Sequence, residues 1–185
     1  ITLAPGDTVW GRIENFLNQT LQEAASGAWN EQTPKGSVAP NYAANPNIMN
    51  AFAQVGFPKD VLDREYTGPG SRAPGDQVPW CAAFAGVVLK ASGTNYLNSL
   101  ASASYSERWN CTRMNVRDIG TWRRNDIVWF SFSHVSFLRY IKNGVAYCTG
   151  GNQGQAVTTS NYSIDDIAFV GRAWTVPTEY DKPLI

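Results

Sequence analysis

Three residues combine a reactive type with a setting that suits nucleophilic attack on an amide. Cys81 stands at the head of the run Trp80-Cys81-Ala82-Ala83-Phe84-Ala85-Gly86-Val87-Val88-Leu89-Lys90, which is apolar nearly all round and so reads as a buried helix. A thiol in a helix's first turn meets the positive end of the dipole, which favours the thiolate and lowers its pKa. The same position equally suits a small apolar core residue, since free cysteines are commonly buried. His134 is the chain's single histidine, and it opens a strand just after Ser131-Phe132-Ser133. An imidazole there can take a thiol's proton or serve only the structure. Asn152 follows Gly150-Gly151. Its amide oxygen can hold an imidazole in one tautomer, the third role of a thiol–imidazole triad, or can belong to a glycine-rich turn. One histidine and no Cys-x-x-Cys pair argue against a zinc site. Thiol chemistry of this kind takes neither metal nor cofactor.

These residues need elements to position them. Val9, Trp10, Ile13, Phe16, Leu17 and Leu21 recur at helical spacing, with Asp7 and Thr8 as candidate N-caps. That stripe must be covered, so residues 1–40 are expected to pack on the rest of the chain. A polar, turn-rich stretch runs over 26–45. A short helix is expected over 46–55, capped by Asn45, with Pro46 in its first turn and Gly56 at its end. Residues 67–79 hold three Pro and three Gly and read as a loop. The apolar helix that carries Cys81 is bounded by Pro79 and Gly93. Strand signals follow at 126–131, 134–141, 145–150, 156–160 and 167–174. A buried helix followed by short antiparallel strands implies an α+β domain.

Asn143-Gly144 marks a hairpin between the second and third of these strands, and its loop length decides what faces His134. A three-residue loop, Lys142-Asn143-Gly144, pairs Ile141 with Val145 and sets Asn152 opposite His134. A two-residue loop, Asn143-Gly144, sets Gln153 opposite instead. The expectation taken forward is the three-residue loop, with Asn152 as the orienting residue.

Composition narrows the class. The 185 residues carry 15 Lys plus Arg against 15 Asp plus Glu, for zero formal charge, which argues against a duplex nucleic-acid binder. Hydrophobic residues at 43% and aromatics at 12% exclude general disorder. No apolar run approaches the about 18 residues of a spanning helix, and no basic-then-apolar leader opens the sequence. Three cysteines, Cys81, Cys111 and Cys148, are too few for a disulfide framework, and the odd count leaves at least one thiol unpaired within the chain.

The segment Val78-Pro79-Trp80-Cys81-Ala82-Ala83-Phe84 resembles the nucleophile segment of CHAP-type cysteine peptidoglycan hydrolases, papain-like enzymes of the wider NlpC group, and especially their phage-associated, endolysin-like subfamily. Four more segments match that pattern in order: Asn45-Pro46-Asn47-Ile48, Asn125-Asp126-Ile127-Val128-Trp129-Phe130, His134-Val135-Ser136-Phe137, and Gly150-Gly151-Asn152-Gln153 with Ala156-Val157. Gly171-Arg172-Ala173-Trp174 resembles the closing strand. The resemblance implies a papain-like α+β fold with N-terminal helices packed on an antiparallel sheet. Residues 41–176 would form the catalytic domain, 1–40 a helical extension and 177–185 a tail. It implies cleavage of amide bonds in the cell wall, as an endopeptidase or an N-acetylmuramoyl-L-alanine amidase. Cys81 would be the nucleophile, His134 the base and Asn152 the orienting residue, with Trp80 and Gln153 against substrate. It implies a monomer whose partner is bacterial peptidoglycan, reached by secretion, periplasmic export or phage delivery. Two departures stand out: Ser133 replaces the usual glycine before the histidine, and Gly150 lies where many members carry a glutamate. Two other classes fit the same residues, a non-catalytic wall-binding or virion structural protein, and a deamidase or acyltransferase acting on proteins.

Overall fold

The computed structural model describes residues 8–66, 74–175 and 184. The candidate cap Asp7, residues 67–73 of the expected loop and most of the tail lie outside the described residues. Helix α1 (Val9–Ala25) begins where the Thr8 hydroxyl accepts the Gly11 N–H, and it buries Trp10, Ile13 and Leu17. Helix α2 (Pro46–Gln54) is capped by Asn45, whose side-chain oxygen takes the N–H groups of Asn47 and Ile48. Helix α3 (Lys59–Tyr66) was not legible in the turn-rich first half, because its sequence KDVLDREY offers Leu62 alone to the core. Helix α4 (Cys81–Ala91) buries nearly all its circumference, and α5 (Ala103–Arg108) is a short connector.

Among the described residues six strands form one antiparallel sheet in the order β1-β6-β2-β3-β4-β5. They are β1 (Thr112–Met114), β2 (Ile127–Phe130), β3 (His134–Lys142), β4 (Val145–Gln153), β5 (Ala156–Ser163) and β6 (Ile167–Arg172). With the helices, they make an α+β protein. Strand β1 escaped the sequence reading because three residues are too few to show alternation. Helix α4 shares one apolar core with Ile127, Val135, Phe137 and Phe169 of the sheet, with Ile13 and Leu17 of α1, and with Ile48 and Phe52 of α2. The alternate residues, including Val128, Phe130, Leu138, Cys148 and Val170, form a second cluster with Trp122. Asp126 joins strand β2 to β6 through both oxygens, which accept from Arg172. Burial raises its carboxyl to about 6 despite that partner.

The β3–β4 hairpin corrects the expected register. Asn143 and Gly144 have φ of 51° and 73°, so the connection is a two-residue turn of the type that requires positive φ at both positions. Lys142 pairs with Val145 and Tyr140 with Tyr147. The register then slips at Arg139, so that Leu138 pairs with Cys148 and Phe137 with Thr149. A bulge re-aims the residue it carries, and the Arg139 guanidinium donates to Glu14 and Asn18 of α1. Arg124 donates to the same Glu14 carboxylate. Burial pushes the Glu14 carboxyl up, but the Arg124 hydrogen bonds and the charges of Arg139 and Arg124 outweigh it and hold the pKa below the usual 4.5.

Removing Arg139 takes away its charged hydrogen bonds to Glu14 and Asn18, while Arg124 still pairs with the Glu14 carboxylate. Arg139→Ala should therefore destabilise the fold by about 1.5–3 kcal/mol. A depressed glutamate contributes stability that is present above its ordinary pKa and lost as pH falls through the folded one. In urea titrations, wild type should exceed Glu14→Gln in stability at pH 7, and the gap should shrink as pH falls below the reference value of 4.5.

Candidate active site

The approach to Cys81 is built on a buried carboxylate. Asp76 is 0% exposed and accepts the backbone N–H groups of Gln32, Thr33 and Asn45. The Gln77 amide donates to the Thr33 carbonyl. The turn-rich stretch after α1 is thereby tied to the residues just ahead of α4. Glu31 adds a second tie: its carboxylate accepts from the Trp80 indole N–H, and its backbone N–H donates to the Gln155 carbonyl. Neither acid was singled out from the sequence. Asp76 stands five residues before the cysteine, which was a usable signal; nothing marked Glu31.

Trp80 is 0% exposed and packs against Trp29 and Phe84. A Cβ at Gly151 would lie 2.6 Å from atoms of both Trp80 and Phe84. The indole is therefore a wedge between the helix start and β4, and the expectation that it touches substrate is corrected by its complete burial.

The first helical bond of α4 runs from Phe84 N–H to the Trp80 carbonyl, so the N–H groups of Cys81, Ala82 and Ala83 have no partner within the helix. The N–H groups of Val135, Ala82 and Cys81 itself lie against the sulfur. They lower the thiol pKa, but burial outweighs them and the net shift is upward. The resting group is a thiol, and this corrects the expectation that the helix dipole would dominate. The Val135 contact sets the sulfur beside the residue that follows His134. Among the described residues no hydrogen bond joins Cys81 and His134.

His134 begins β3 behind Ser133, which has φ of 67°. Its Nε2 lies 2.9 Å from Gln153 Oε1. The amide cannot be reversed, because Gln153 Nε2 donates to the carbonyls of Cys148 and Thr158 at 3.1 and 2.8 Å. Its Oε1 must therefore face the ring, and it also accepts from the Ser136 hydroxyl at 2.8 Å. An acceptor at Nε2 requires the proton to sit there. Nδ1 is left as a bare lone pair and makes no hydrogen bond among the described residues. Burial pushes the imidazole pKa down, and the Gln153 bond offsets part of this.

Gln153, rather than Asn152, thus bonds the ring, and its buried amide is committed to that ring, to Ser136 and to two backbone carbonyls. Both placements differ from the expectation for one cause. Continuing the pairing of Leu138 with Cys148 along the strands would bring Asn152 level with His134. The β4–β5 register, however, slips between Gly150 and Gln153, with Asn152 at φ 58°. This second bulge turns the Gln153 side chain inward. The Asn152 side chain makes no hydrogen bond among the described residues. The same bulge accounts for Gly150: a Cβ there would lie 2.5 Å from Ser136 Oγ and 2.8 Å from Gln153 Oε1. The Gln153 amide fills the space that a glutamate at 150 would need.

Cys81, Cys111 and Cys148 are all free thiols. Burial raises Cys111 to about 11 and pushes Cys148 up as well. Among the described residues no group of three His, Cys, Asp or Glu converges as metal ligands.

A non-glycine residue in the left-handed region stores strain that glycine relieves. Ser133→Gly should stabilise the protein by about 0.5–1 kcal/mol, net of the entropy a glycine loses on folding, as read from thermal or urea unfolding. No family model matches the chain, and neither a characterised protein nor a solved structure shows significant similarity to it.

Proposed function

We propose that this protein is a papain-like cysteine hydrolase of the CHAP type that cleaves amide bonds in bacterial peptidoglycan. One observation carries the chemistry: the Gln153 amide, locked by two carbonyls, keeps the proton on His134 Nε2 and leaves Nδ1 free as a base. The substrate class comes from the five ordered segments that resemble wall hydrolases.

The resting pair is thiol and neutral imidazole. As Cys81 Sγ attacks the scissile carbonyl carbon, Nδ1 takes the thiol proton. In the structure the sulfur meets the Val135 N–H rather than the ring, so this transfer requires thiol and ring to come together as substrate binds. The oxyanion forms beside the helix start, where the Cys81 N–H can donate to it. The imidazolium then gives its proton to the departing nitrogen as the C–N bond breaks. His134 Nδ1 then takes a proton from a water whose oxygen attacks the thioester carbon. The C–S bond breaks, the carboxylic acid leaves, and the imidazolium returns the proton to the Cys81 sulfur.

Incubation with purified sacculi and mass spectrometry of the released fragments test this reading and name the bond cut. Cys81→Ala and His134→Ala should each abolish release while retaining the fold. Gln153→Ala should lower turnover by roughly 10- to 1000-fold with a much smaller change in KM, because it acts through the imidazole. Asn152→Ala should stay near wild type. The base is lost on protonation, so activity should fall as pH drops through a value below the reference 6.5 for histidine. Release that survives in Cys81→Ala, or a wild type that releases nothing, overturns the proposal.

A further inference from the structure

Three aromatic rings from three places in the chain surround the His134 imidazole. Phe130 of β2 lies 6.0 Å from it at an interplanar angle of 17°, and Phe132, in the turn before β3, lies 6.4 Å away at 9°. Tyr162 of β5 lies at 5.8 Å and 43°. The rings also pack on one another, Phe130 with Phe132 at 5.1 Å and with Tyr162 at 4.5 Å. Phe132 is 51% exposed, whereas the histidine behind it is 8% exposed. Its neighbour Ser133 is held at a strained positive φ, and the turn sets the half-exposed Phe132 ring alongside the imidazole.

We propose that Phe132 and Tyr162 are positioning residues for His134: their rings close the imidazole off from water and hold it in the plane that its bond to Gln153 requires. Titratable groups on the elements around the ring are Cys81 and Lys90 of α4, Arg139, Tyr140 and Lys142 of β3, Tyr147 and Cys148 of β4 and Tyr162 of β5, with Asp165 and Asp166 just after β5. Burial pushes the pKa of Cys81, Cys148 and Tyr162 upward, so these three are neutral near neutral pH. Among the described residues no carboxylate, lysine or arginine makes a hydrogen bond or ion pair with the ring. With no charged group bonded to the ring, its basicity rests on the Gln153 hydrogen bond and on access of water, and the second is what these rings control.

The catalytic consequence rests on the hydrolytic reading, but the clamp can be measured without substrate. His134 is the only histidine, so its imidazole signals in an NMR pH titration are unambiguous. The midpoint should rise by about half a unit or more in Phe132→Ala and in Tyr162→Ala as water reaches the ring. It should stay near wild type in Tyr162→Phe, which keeps the ring and loses only the hydroxyl. Phe132→Leu, which stays apolar but lacks the flat face, should fall between wild type and alanine, and it serves if the alanine variant does not fold. An unmoved midpoint in the folded Phe132 variants overturns the proposal. So does a Tyr162→Phe shift equal to that of Tyr162→Ala, which would assign the effect to the hydroxyl. A change confined to KM, with the midpoint unmoved, would make Phe132 a substrate contact instead. If the midpoints shift as expected while wild type releases nothing from sacculi, the hydrolase reading fails and the clamp stands.

Discussion

Helix α4 lies on strand β4 at a separation that a side chain at position 151 would not allow. Trp80 and Phe84 occupy the space where that Cβ would be. This close approach sets the helix start against the sheet and brings the Cys81 sulfur to the N–H of Val135. The adjacent Gly150 leaves room for the Gln153 amide. Two successive residues without side chains therefore serve two faces of one strand, one admitting the helix and the other admitting the group that fixes the imidazole. The bulge just beyond them changes the parity of the strand, which is why the inward amide belongs to Gln153.

Burial dominates the electrostatics of the site. It raises the thiol and depresses the imidazole, so each group rests in its neutral form. The imidazole is held by a placed proton rather than by a charge. The placement runs from two backbone carbonyls through one amide to one ring nitrogen, and no step in it depends on an ionised group. Acidic side chains serve the scaffold around it. Asp76 gathers three backbone N–H groups from the stretch after α1, and Glu14 joins α1 to Arg124 and to the bulged Arg139. Both tie the N-terminal part of the chain to the layer that holds the site.

Local patterns carried much of this protein into view from the sequence. The stripe of α1, the Asn45 cap, the all-apolar α4 and five of the six strands each rest on interactions between residues close in the chain, and such interactions leave a periodicity or a cap that can be read. The candidate nucleophile and base were legible for a related reason. A thiol at the start of a buried helix and a lone histidine at the start of a strand are marked by their own neighbours. Helix α3 and strand β1 were missed because one is too polar and the other too short to show a period.

The tertiary structure decided which residue completes the site. Hairpin counting offered Asn152 or Gln153 according to loop length, and neither count included the bulges at Arg139 and Asn152. The first bulge accompanies the contact of Arg139 with a glutamate on a helix more than a hundred residues earlier. The second lies where β4 must pack against α4 on one face and hold the amide on the other. A bulge shifts parity by one residue, and parity is what selects the side chain that points inward. Sequence by itself determined the reactive types and the elements that carry them. The bond that holds the imidazole, and the neutral state of the thiol and the ring, follow from long-range packing and burial, which no local pattern encodes.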